Sequence, residues 1–230
     1  MLTARRADRL EQLADRLHKQ YAIQTEVVVA DLALPDGPDE IFNFTESKNL
    51  TIDLLINNAG FGQYGELTQV EDQRLLDMVQ VNCLAVVHLT RLYLPGMVAR
   101  RRGDVLILAS TASFQAVPYI STYAATKAFD LLFAEGLAEE MRPHGIRVCA
   151  LCPGSTESEF HAVAQQEEFT RKQQEPADKV ARTGLQALAD GKSYVISGFW
   201  NYWGAHMQRL VPRRMVTRIA GNMFRPKKNV

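Results

Sequence analysis

Asp104–Gly154 reads DVLILASTASFQAVPYISTYAATKAFDLLFAEGLAEEMRPHGIRVCALCPG. Its order of apolar runs decides the fold. DVLILAS is an apolar strand with a small polar end, and IRVCALCPG is another. Between them Tyr123–Met141 is rich in Ala, Leu and Phe and is ended by Pro143 and Gly145, as a helix is. Strands joined through such a helix run parallel, because parallel neighbours need a crossover connection. Outward from this stretch the pattern repeats. TEVVVAD (Thr25–Asp31), IDLLINNAG (Ile52–Gly60) and KSYVIS (Lys192–Ser197) predict further strands. Arg5–Gln20, with Leu10, Leu13 and Leu17 on one face, Asp36–Lys48 and the long segment Val70–Arg100 predict helices. The expected fold class is α/β, a doubly wound parallel sheet covered on both faces. Ligands of such sheets bind beyond the carboxyl ends of the strands, which selects Asp31, Asn57–Gly60, Ser110 and Pro153–Ser158.

Composition supports one sizeable domain: 230 residues, 47% hydrophobic and 23% charged, exclude a disordered or collagen-like chain. The 26 basic and 26 acidic residues cancel, leaving no overall field to attract nucleic acid, and no nucleic-acid partner is expected. Cys83, Cys149 and Cys152 cannot pair completely, which points to a reducing cytoplasm. Cys149 and Cys152 share a C-x-x-C spacing but face opposite sides of a strand, so both read as packing residues. The five histidines lack metal-ligand spacing, and no metal site is expected. The start MLTARRADRL has no apolar leader core, so a soluble, unexported protein is expected.

Within the quoted stretch Ser110 precedes Tyr123 by 13 positions and Lys127 follows it by four. Tyr and Lys four apart share a helix face, where an ammonium can lower a phenol's pKa from its usual value of about 10. Together with NNAG upstream and PG downstream, this spacing resembles the short-chain dehydrogenase/reductase family, from about Thr3 to at least Phe160. The resemblance implies a Rossmann-like fold and hydride transfer between a nicotinamide cofactor and a carbonyl or secondary alcohol. It implies that Tyr123 passes a proton to the carbonyl oxygen, that Ser110 hydrogen-bonds that oxygen, and that Lys127 also holds the ribose. By the same resemblance Asn82 kinks a helix and holds a relay water, Asn58, Ala59 and Gly60 pack on the adenosine end, and Asp31 contacts adenine. Pro153, Gly154, Thr156 and Ser158 would hold the carboxamide and pyrophosphate. Arg5, with Arg6 beside it, would read the 2′-phosphate, so NADP(H) is expected over NAD(H). Taken singly, Ser110 also reads as a turn cap, Asn82 as a buried amide, Asp31 as a turn residue and Arg5 as a solvated helix start.

The family opens with a strand, a glycine-rich turn and a helix, whereas here MLTARR looks like the end of its second strand. The expectation is therefore an N-terminally truncated fold in which the absent strand lies in the middle of the sheet and strands 2 and 3 lose their neighbour. Two functions follow: an oxidoreductase acting on an apolar carbonyl substrate, from Phe61, Phe114, Tyr119 and Phe160 near the strand ends and a lid at Glu159–Lys179, or an inactive, cofactor-poor homologue or fragment acting by association. The family's subunit contacts imply a homodimer or homotetramer through Leu75–Arg100 and Tyr123–Met141.

Residues 1–198 form the expected dehydrogenase domain and 199–230 a tail packed on it. Gly191–Val230 holds eight basic residues and no acid, so the first 190 residues carry 18 basic and 26 acidic groups, net −8. The tail's aromatic and apolar residues are expected to complete the core or subunit contacts. The alternative is peripheral contact with an anionic membrane.

Overall fold

The computed structural model describes residues 1–165 and 174–226. Part of the expected lid, and Lys227 and Lys228 of the tail, lie outside the described residues. In chain order the elements are β1 (Leu2–Ala4), α1 (Ala7–Tyr21), β2 (Val27–Val29), α2 (Gly37–Ser47), β3 (Leu54–Asn57), α3 (Asp72–Val79), α4 (Ala85–Arg100), β4 (Gly103–Leu108), α5 (Ser121–Met141), β5 (Ile146–Cys152), α6 (Phe160–Val163), α7 (Ala177–Ala189), β6 (Tyr194–Ile196), α8 (Phe199–Met207) and α9 (Arg213–Phe224).

All strand pairs are parallel, and they form two sheets rather than one. β1 and β2 make a three-rung pair from Leu2↔Val27 to Ala4↔Val29. The second sheet has the order β3-β4-β5-β6, with β4 and β5 matched from Gly103↔Ile146 to Leu108↔Leu151. Among the described residues nothing pairs with the remaining edge of β1 or of β3.

Alternation along β5 builds two cores. Val148, Ala150 and Cys152 face a cluster with Ile41, Val86, Leu89, Tyr93, Met97, Leu131, Ala134 and Leu137, supplied by α2, α4 and α5. Cys149 and Leu151 point the other way, onto Leu106 and the α7 residues Val180, Ala187 and Leu188. The two cysteines of the C-x-x-C spacing therefore serve opposite cores, and burial pushes both thiols up to about 12. α7 approaches closely because Gly184 has no side chain: a Cβ there would stand 2.6 Å from a Leu151 methyl. The α7 side of β3 is uncovered, leaving Leu54 40% and Ile56 48% exposed.

The segment expected as one helix from Val70 to Arg100 begins at Asp72 and is interrupted by a π-turn at Gln80–Leu84. An 18-residue window of this run has mean hydropathy 1.3 and is 39% buried, with Val86, Leu89, Tyr93 and Met97 of α4 in the core.

Candidate active site

β4 and α5 bring the catalytic candidates together. Ser110 follows the end of β4 and caps the short 3-10 turn Thr111–Phe114, its Oγ accepting from Ala112 N at 3.1 Å. That leaves the hydroxyl proton free to donate. Ser113 returns the favour to the turn and donates to the Lys127 carbonyl at 2.6 Å, locking the turn onto α5. Both Tyr123 and Lys127 stand in the first two turns of α5. Burial raises the Tyr123 phenol above its ordinary value, while the Lys127 charge and a hydrogen bond with Ser110 pull it down without overcoming that cost. The phenol is thus held protonated, as a proton donor must be.

Lys127 Nζ is buried, donating to Leu108 O at 2.6 Å and to Asp130 Oδ2 at 3.0 Å. An ammonium has three donors, so one remains for a ligand or the phenol. Asp130 was not singled out from the sequence. Its carboxyl is pushed up to about 6, because burial outweighs the attraction of Lys127, and its Oδ1 has no hydrogen-bond partner among the described residues. An Asp three residues after a Lys looks like an ordinary i, i+3 surface pair. The available signal was its place in the apolar stretch AFDLLFA, whose helical face points inward.

Asn82 lies in the π-turn and is fully buried. Its Nδ2 donates to Phe61 O and Thr126 Oγ1, each at 3.0 Å, and its Oδ1 accepts from Phe61 N at 3.1 Å. At the position where a helix kink is expected, the structure has this π-turn. The amide fastens the loop after β3 to α5, a role sequence reading missed together with Thr126.

Around this centre the loops expected to carry a cofactor converge only in part. Asn58, Ala59 and Gly60 are exposed beyond β3. A Cβ on Gly60 would stand 3.1 Å from Asn82 Oδ1 and 3.4 Å from Lys127 Nζ, so this glycine keeps the approach to the lysine open. Pro153 O accepts from Thr111 N at 2.9 Å, tying the loop after β5 to the loop after β4. Gly154 is covered by the Asn201 amide of α8. Thr156 Oγ1 turns back to Gly154 O at 3.2 Å, and Ser158 Oγ to Thr156 O at 3.4 Å. Arg5 and Asp31 sit at the ends of β1 and β2 with Nη1 and Oδ2 3.8 Å apart. Arg6 is engaged elsewhere: with Arg9 it pairs with Glu159, holding the carboxyl below the usual carboxylate range. The Phe160 ring lies 5.1 Å from that of Tyr123. Phe114 instead packs against the core, and Tyr119 has a positive φ of 67° at the loop before α5. A cavity of about 630 Å³ lies on another side of α5, lined by Phe114–Tyr119, Ala124, Ala128, Arg213 and Thr217, and none of Ser110, Tyr123 or Lys127 borders it.

The family model described as short chain dehydrogenase matches residues 1–168. The chain belongs to the short-chain dehydrogenase family. An uncharacterized oxidoreductase of Bacillus subtilis, YmfI, is 30% identical to this dehydrogenase over 189 residues, 81% of this chain and 75% of the relative. A very-long-chain 3-oxoacyl-CoA reductase of Pyrenophora tritici-repentis is 26% identical over 96% of this chain and 67% of its own length. The mouse protein of that name is 33% identical over 157 residues, and the match spans only half of its length. A short-chain dehydrogenase from Sphingobium yanoikuyae solved with NADPH superposes with a TM-score of 0.80 at 26% identity, covering 100% of this chain and 87% of that one. A 7beta-hydroxysteroid dehydrogenase, with a TM-score of 0.84, 23% identity and coverage of 95% and 85%, shares the fold.

As a short-chain dehydrogenase the chain is an α/β oxidoreductase of a family that binds NAD(P). The described residues fit the nicotinamide-ribose end of such a cofactor: the bare backbone at Gly60, the spare donor of Lys127 and the proton-bearing Tyr123 and Ser110 converge beyond β4. The glycine-rich turn that the family places over the pyrophosphate is not within this sequence.

Proposed function

We propose that this short-chain dehydrogenase is an NADP(H)-dependent carbonyl reductase for an apolar substrate. The observation that carries the reading is the convergence of a protonated Tyr123, a Ser110 hydroxyl whose lone pair is occupied by Ala112, and a buried Lys127. When bound, the nicotinamide supplies the hydride. Tyr123 donates its phenolic proton to the carbonyl oxygen, Ser110 donates a hydrogen bond to that oxygen, and Lys127 offsets the phenolate charge left on Tyr123. In the reverse direction the same groups accept the alcohol's proton.

An apolar substrate is favoured by Phe160 against Tyr123 and by the relatives named as reductases of very-long-chain 3-oxoacyl-CoA. NADP(H) is favoured by the exposed Arg5 guanidinium at the end of β1 and by the structural relative solved with NADPH. The protein is read as cytoplasmic. A homodimer or homotetramer is favoured by the exposed Leu76, Leu84, Phe129 and Leu132 on the helices around α3–α5.

Titration with NADPH and NADH, then turnover with hydrophobic 3-oxoacyl thioesters, long ketones and small charged keto acids, tests this function. Binding of NADPH with turnover of the apolar panel is expected, and Arg5→Ala should weaken NADPH far more than NADH. Faster turnover of keto acids would remove the apolar substrate. The split sheet favours the second reading, a cofactor-poor homologue acting by association, and absence of nucleotide binding would favour it over the reductase.

A further inference from the structure

α8 and α9 are attached to the body by Ala205, Ala220 and Phe224 and turn most of their other large apolar residues outward. Ala205 enters the main core and Ala220 packs with Val117, Ile120 and Ala124, while Asn201 donates to Ser197 O and Tyr64 Oη to Phe224 O. Against this, Trp200 is 82% exposed and Leu210 77%, and Phe199, Trp203, Met207, Met215, Ile219 and Met223 are also exposed. This inverts the usual economy of burial, in which large apolar side chains are taken from water before alanines. Of the expectation that the tail's apolar residues complete the core or subunit contacts, the core half holds for Phe224 and not for the exposed side chains just named. The two cores are filled from α2, α4, α5 and α7, and of the last helices Ala205, Ala220 and the half-buried Phe224 pack against the body.

Met215, Ile219 and Met223 recur every four residues and form a stripe along α9, and Arg214 and Arg218 run beside it. Arg209, Arg213 and Arg225 are likewise exposed. No acidic residue occurs from Gly191 to Val230. A second copy laid on this surface about a twofold axis would set arginines against arginines, which costs energy, whereas an anionic surface would neutralise them.

We propose that the α8–α9 surface docks on an anionic lipid bilayer, with Trp200, Leu210 and the Met215–Ile219–Met223 stripe entering the interface and the arginines facing the headgroups. The chain's only tryptophans, Trp200 and Trp203, both stand in α8, so their fluorescence reports the contact directly. The test uses no substrate or cofactor, so its outcome is independent of the proposed reductase activity.

The full chain is mixed with vesicles of phosphatidylcholine alone or with phosphatidylglycerol added, at low and high salt. Co-sedimentation and a blue shift of tryptophan emission are expected with the anionic vesicles only, weakening as salt screens the charges. Arg214→Gln with Arg218→Gln should weaken partitioning about 30-fold, at about fivefold for each charge removed. Met215→Ser with Ile219→Ser and Met223→Ser should abolish the shift while the thermal midpoint changes little, because more than half of each of the three residues is already exposed. Equal binding to neutral vesicles, no binding to either, or unfolding of both sets of variants would overturn the proposal. So would a dimer that Trp200→Ala dissociates, since a second copy would then be the occupant.

Discussion

Asp130 acts on the proton donor less than burial, Lys127 and Ser110 do, and its own carboxyl is the strongly shifted group. Its folded value of about 6 lies above the ordinary 3.8, so between these values the folded chain keeps a proton that the unfolded chain has lost. Its contribution to stability is therefore greatest at low pH, falls as pH rises through about 4 to 6, and is constant above. Asp130→Asn has no such proton. The difference in urea midpoint between the native chain and this variant should change across pH 4–6 and level off above pH 7, and a difference independent of pH would show that Asp130 is ionised throughout. Tyr123→Phe removes the phenolic proton and keeps the ring against Phe160, so turnover should fall by about 100-fold or more with little change in nucleotide affinity. Single-turnover reduction measured beside nucleotide titration separates the two effects. Ser110, Tyr123 and Lys127 were legible because spacing along one strand end and one helix fixes their relation locally. The Lys127–Asp130 pair was less so, since i, i+3 spacing says nothing about depth and here depth produces the shift.

Helix placement was legible for α1 from its leucine spacing, for α5 from its composition and the Pro143 and Gly145 end signals, and for α2 as a helix-compatible stretch, with boundaries moved by a few residues. The π-turn between α3 and α4 was not legible from periodicity. It exists because Asn82 must satisfy Phe61 and Thr126 at once, and both lie far off in sequence. Close packing of α7 is a similar long-range matter. In Gly184→Ala the helix gains up to about 1 kcal/mol of propensity. The new methyl meets Leu151, itself buried against Cys149 and Val180, and such overpacking costs about 1–3 kcal/mol. Packing should win, lowering the urea midpoint without altering secondary-structure content. A stabilised variant would show that Leu151 can turn aside.

The parallel α/β architecture was legible across the whole chain because each crossover helix forces its strands to run the same way. The described residues form two sheets, in which β1 and β2 pair with each other while β1 and β3 each keep an unpaired edge. β1 and β2 share three rungs, whereas β4 and β5 share six. Cohesion of the β1–α1–β2 unit with the remainder rests on Ala30 and its neighbours Val28 and Leu32 in the main core, and on the exposed pairs of Arg6 and Arg9 with Glu159. Solvent-exposed pairs contribute little, about 0–1 kcal/mol each. Such a unit opens without the rest of the molecule having to follow. Amide deuteration should therefore be biphasic: Val27–Val29 should label at times when Val105–Ile107 and Val148–Leu151 still hold protium, and added salt should hasten only the fast class. The amides of α1 should join that fast class. A single rate for all strands would mean that the two sheets unfold as one. If the rates separate, the chain carries its own clock for local opening, set at one end by a three-rung ladder and at the other by a sheet sealed between two cores.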